Sequence, residues 1–144
     1  MSLKYERILI AIDGSEAAEK AFKKAVEVAK ESDSTLVLVH VVDIKAYPIA
    51  AAYGRTVEKH ARESAEELLE KYEDKAEDMG VDKVEKVIEY GSPRALIAKT
   101  IAPKEKVDLI IVGATGLGMV ERFIIGSVSE STVRHARCDV LIVR

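Results

Sequence analysis

The sequence has a single cysteine, Cys138, and no tryptophan. One thiol excludes an intrachain disulfide framework and suits a reducing compartment. Three prolines in 144 residues, beside a hydrophobic content of 48%, exclude a proline-rich or disordered chain. An excess of basic charge is also missing. With 22 Lys and Arg against 25 Asp and Glu, the formal net charge is −3, so the chain exerts no general pull on nucleic acid or anionic membrane. No apolar run reaches the roughly 18 residues of a membrane span, and "MSLKYERILIAIDGSE" lacks the basic and apolar regions of a signal peptide. His40, His60 and His135 stand at no metal-ligand spacing with one another or with Cys138, which predicts ordinary core or surface roles. The expectation is one soluble cytoplasmic domain, spanning 1–144, that buries its core without staples.

Short β-branched runs are plentiful. "ILIAI" (8–12), "LVLVHVV" (36–42), "LIIV" (109–112) and "VLIV" (140–143) suit strands buried on both faces, and the more polar "VEKVIEY" (84–90) suits a strand nearer an edge. Between the first two runs, Ala18, Phe22, Ala25, Val26 and Ala29 recur at helical spacing, with Asp13 and Glu16 in the pattern of a capping box. A longer helix is predicted from Val57 with Ala61, Ala65, Leu68, Tyr72, Ala76 and Met79 on its inner face, stopping at Gly80. Ser92 and Pro93 predict the entry of a third helix, and Gly126 and Ser127 that of a fourth reaching about Ala136. The alternation is that of a doubly wound α/β sheet, in which ligands bind at the carboxyl ends of the strands.

Glycine is unevenly placed. Gly113, Gly116, Gly118 and Gly126 are half of the eight, all within "LIIVGATGLGMVERFIIGSVSEST" (109–132). The Walker A pattern fails, because Met119 and Val120 stand where lysine and a metal-binding hydroxyl belong. The dinucleotide fingerprint fails as well, with Glu121 in place of its third glycine. What fits is G-x2-G-x9-G-S, as Gly113, Gly116, Gly126 and Ser127. Its glycines let backbone N–H groups approach an anion, and its last residues open a helix whose amino terminus favours phosphate. Ser127 and Ser129 offer hydroxyl donors, and Arg122 is the one basic side chain in the loop.

These residues, together with "RILIAIDGSEAAEKA", "LVLVHVVD", "VDLIIVGATGLG" and "GSVSESTVRHARCDVLIVR", resemble the universal stress protein family, in its ATP-binding subclass, over essentially the whole chain. The resemblance implies a five-stranded parallel sheet in the order 3-2-1-4-5 with helices on both faces. It also implies that Ala11, Ile12 and Asp13 border the adenosine and that Val41 packs on adenine. Val112, Gly113, Thr115 and Gly116 would contact ribose and phosphates, and Gly126, Ser127, Val128 and Ser129 would hold the phosphate tail. Ala11–Ile12 replaces the Pro-Thr or Val-Asp often found before the acidic residue, and Asp139 replaces a frequent proline.

Three functional classes follow. The first is a regulatory stress-response protein that binds ATP, or AMP or ADP, with Mg or Mn bridging phosphates whose charge the loop's one arginine does not balance. The second is a slow ATPase or nucleotidyl-transfer enzyme, for which no catalytic residue, P-loop lysine or water-activating base is visible. The third is a dimerisation module without ligand. In the first class, a homodimer is expected through Val140–Val143 as an edge strand, along with an unidentified regulated protein partner and neither nucleic acid nor membrane.

Overall fold

The computed structural model describes residues 4–43, 55–114 and 126–144, with the side chains of 55–57 left aside. The described residues include five strands: β1 (Arg7–Ala11), β2 (Thr35–Val42), β3 (Val84–Tyr90), β4 (Leu109–Gly113) and β5 (Asp139–Val143). They form one parallel sheet in the order β3-β2-β1-β4-β5, as expected, with the polar strand β3 at an edge. Helix α1 spans Glu16–Ser32, α2 Arg55–Asp78 and α4 Ser127–His135. Helix α3 is composite: an α turn at Pro93–Leu96, a π turn at Ile97–Ile101 and a last turn at Ala102–Lys104.

The two-residue period of the strands sorts their side chains into two cores. Ile8, Ile10, Leu36, Leu38 and Ile111 face α1 and α2, where Phe22, Val26, Leu69 and Tyr72 meet them. Leu9, Val37, Val39, Ile110 and Val112 face α3, whose Ile97, Ala98, Ile101 and Ala102 cover them, with Val128 of α4 packed alongside. Ile8, Leu9 and Ile10 are fully buried, so β1 is the centre of the fold; each such side chain stabilises it by about 1.5–3 kcal/mol. Between α1 and α2, the Phe22 and Tyr72 rings meet edge to face at 4.8 Å, and the Tyr72 hydroxyl donates to Glu19 Oε2 at 2.5 Å. Burial pushes the Glu19 carboxyl up, but hydrogen bonds from Tyr72 and Lys75 outweigh it and hold the group below its ordinary range.

Four details differ from the sequence expectations, each for a local reason. Ser15, not Asp13, is the N-cap of α1; its hydroxyl oxygen accepts from the Ala18 N–H at 3.1 Å. Along α2 it is Leu69 that is fully buried, while Leu68 only flanks the core, because the inner stripe runs Ala61, Ala65, Leu69, Tyr72, Ala76 in steps of three and four. Met79 lies past the helix end and is exposed. There the chain turns in a Schellman motif, with Gly80 N–H donating to Glu77 O at 3.0 Å and Val81 N–H to Ala76 O at 2.9 Å. The π turn of α3 ends two residues before Pro103, which has no N–H for the Lys99 carbonyl and whose ring crowds it; the widened turn accommodates both.

The amino end of the sheet is closed by side chains. Asp108 accepts the N–H groups of Glu6 and Arg7 at 2.9 and 3.0 Å, and the Arg7 guanidinium reaches Glu85 at 2.8 Å and the Glu105 carbonyl at 2.7 Å. The opening lies at the other end. No helix among the described residues is long and apolar enough to cross a membrane.

Candidate functional site

At the carboxyl ends of β1 and β4, where the strand order reverses, a cleft of about 330 Å³ opens. Its apolar wall is built by Ala11 of β1, Val39 and Val41 of β2, and Val112 of β4. Pro93 and Ile97 of α3 complete that wall; sequence reasoning missed them, because Ser92 and Pro93 already explained a helix start. One rim is Ile12, Asp13 and Ala18. The opposite rim is Gly113, Gly126, Ser127, Val128 and Ser129. Ten of the twelve expected site residues thus line one cleft. The other two, Thr115 and Gly116, lie outside the described residues, as do Gly118 and Arg122.

The first rim is held from behind. Ile12 N–H donates to Val39 O at 2.8 Å, and the Ile12 carbonyl accepts from Nδ1 of His40 at 2.6 Å. Asp13 is exposed, but its Oδ1 accepts from the Ser15 amide at 2.9 Å and the Ser15 hydroxyl at 2.5 Å, so the carboxylate is tied to the start of α1.

The second rim is a chain of backbone bonds. Ala114 N–H donates to Val143 O at 2.8 Å, and Gly126 N–H returns to Ala114 O at 2.7 Å, which brings the start of α4 beside the end of β4. Ser129 is buried, and its hydroxyl donates to the Gly113 carbonyl at 2.5 Å. That hydroxyl is therefore a strut between α4 and β4, where the sequence had suggested a phosphate donor. Gly126 is the N-cap of α4 at φ −64° and ψ 161°, without a side-chain cap. The first N–H groups of α4, on Ser127, Val128 and Ser129, therefore open toward the cleft with no capping side chain among the described residues.

Gly113 has a structural reason of its own. A Cβ there would lie 2.7 Å from the carbonyl oxygen and 2.8 Å from the Cβ of Ala17, so the first turn of α1 packs directly on the end of β4.

The electrostatics are simple. Asp13 is the one charged side chain among the described lining residues, and the α4 amino terminus contributes a partial positive charge of about half an elementary unit. Among the described residues no group of three or more His, Cys, Asp or Glu is placed to hold a metal ion. His60 and His135 stand apart from the lining, whereas His40 acts on it from the far side of β2.

A cleft at the switch point of a 3-2-1-4-5 parallel sheet, with one apolar wall and a helix amino terminus opposite, defines the class: a doubly wound α/β protein. The family model described as the universal stress protein family matches residues 4–144, and the chain belongs to that family. A universal stress protein of Staphylococcus haemolyticus is 50% identical over 142 residues, covering 99% of this chain and 86% of that protein. Among solved structures, universal stress protein UspA from Lactobacillus plantarum is 29% identical with a TM-score of 0.87, covering 99% of this chain and all of that one. A universal stress protein solved in complex with cAMP is 24% identical at a TM-score of 0.71, covering 99% and 98%; that likeness is one of fold.

Proposed function

We propose that the chain is a regulatory protein of the cytoplasmic stress response that binds an adenine nucleotide, ATP foremost, in the cleft between β1 and β4. The observation that carries this reading is the polarity of the cleft: an apolar wall at one end suited to a flat base, and the uncapped amino terminus of α4 at the other, suited to phosphate. The complex of a same-fold relative with cAMP supports an adenine nucleotide as the class. Ala11, Ile12, Asp13 and Val41 would border base and ribose. Val112, Gly113, Thr115, Gly116 and the Gly126–Ser129 segment would follow the phosphates.

A triphosphate brings about four negative charges to a cleft whose one described charged side chain, Asp13, is itself negative, so Mg²⁺ or Mn²⁺ would accompany it, held chiefly by the phosphates. Native mass spectrometry and titration calorimetry test the reading. ATP with Mg²⁺ is expected to bind at micromolar affinity or better; absence of any adenine-nucleotide binding would overturn it. Equal affinity in excess chelator would remove the metal.

The regulated output is association. Val140, Leu141, Ile142 and Val143 are only half-buried, and β5 is an edge of the sheet, so its outer backbone is open to a second copy in an isologous homodimer. Light scattering is expected to give twice the 15.8 kDa chain mass, falling to one chain when Leu141 and Val143 are both replaced by Lys.

A further inference from the structure

The rim formed by Ile12 and Asp13 is attached to the sheet by a side chain that never meets the cleft. The β1–β2 ladder ends with the pair Ala11 and Val39. One residue further, Ile12 is still bound to β2 through its N–H, and its carbonyl is bound by the ring of His40. A carbonyl oxygen only accepts, so Nδ1 of His40 carries the hydrogen. Val39 and Val41 both line the cleft, and side chains alternate along a strand, so His40 between them points to the opposite face. The ring therefore extends the ladder past the point where the backbone turns away. It grips from behind the residue whose backbone forms the cleft's first rim, just ahead of the Asp13–Ser15 hydrogen bonds that start α1.

We propose that His40 is a positioning residue of the nucleotide cleft: its Nδ1–H bond to the Ile12 carbonyl fixes the Ile12–Asp13 rim in the geometry that receives the ligand. The identity of the ligand rests on the function proposed above; the hold on the rim does not. A histidine that merely filled space would be replaced best by a ring of similar size, and least well by a small polar residue. A donor predicts the reverse, because Nδ2 of asparagine stands at the same number of bonds from the backbone as Nδ1 of histidine.

The experiment compares the wild type with His40→Phe and His40→Asn, all verified folded by circular dichroism, with His40→Leu taking the place of the Phe variant should that chain not fold. Two quantities are read: the Kd for Mg–ATP, and amide hydrogen exchange at Ile12 and Ser15 in the free protein. The Phe variant is expected to bind about tenfold more weakly, the loss that removal of one hydrogen bond corresponds to, and to exchange faster at both amides. The Asn variant is expected within about threefold of wild type, with exchange restored. If the Phe variant matches the wild type in exchange and affinity, or the Asn variant is as loose as the Phe variant, the positioning role is overturned. If the exchange pattern appears as expected while the wild type takes up no ATP, the proposed function fails and the positioning of the rim stands.

Discussion

Two helices begin at the same cleft and begin differently. At α1, the Ser15 hydroxyl accepts from Ala18 N–H, and Asp13 in turn holds Ser15, so the amino terminus is satisfied by its own chain. At α4, the N-cap is Gly126, which has no side chain to offer. Both ends carry the same dipole and the same orphan donors. The difference is that α1 carries a side-chain cap, whereas the amino terminus of α4 has none among the described residues. A glycine with φ −64° is not there for its backbone freedom, since any residue adopts that conformation. Anion affinity is therefore expected at one helix and not at the other.

The largest effect comes from the point where the two helices' neighbourhoods touch. Gly113→Val would place a side chain against the Ala17 carbonyl, and urea denaturation is expected to show a loss of about 3 kcal/mol, with nucleotide binding lost alongside. Unchanged stability would mean that α1 does not pack on β4 as described. Next, Gly126→Asp would give α4 a cap like that of α1. The carboxylate would take the orphan N–H groups and repel phosphate, so ATP affinity should fall at least about tenfold while stability stays within about 0.5 kcal/mol of wild type. Calorimetry and a urea curve on the same preparation check both halves of that statement. The smallest effect is at the helix already capped: Ser15→Ala should cost about 1 kcal/mol in thermal or urea unfolding through loss of the cap. If it instead abolished ATP binding with stability intact, the distinction between the two termini would collapse.

The strands and the inner face of α1 were legible because continuous β-branched runs and a 3.6-residue period leave few alternatives. The strand order came with the family resemblance, since nothing in the runs themselves says which neighbours pair. Capping was half legible. The sequence offered Asp13 with Glu16, whereas the cap is Ser15, two residues on, across Gly14 at a φ of +84°. The π turn was not read, although Pro103 is its signal, because Ser92 and Pro93 already explained a helix start. Pro93 and Ile97 were missed at the cleft for the same reason. His40 read as an ordinary residue because its importance depends on a carbonyl 28 positions away, which no spacing rule connects to it.

The strand order also governs when the cleft comes into being along the growing chain. Everything up to Tyr90 contributes β1, β2 and β3, one half of the sheet, with the Ile12–Asp13 rim at its margin and no opposing wall. The facing half is β4 and α4, and the side chain that fastens it, Asp108, bonds to backbone amides about a hundred positions earlier. Contacts at such separation close late, since the loop entropy must be overcome before they form. The binding proposed at the switch point would thus depend on the completed β1–β4 pairing, and ligand uptake would report that the last third of the chain has joined the first.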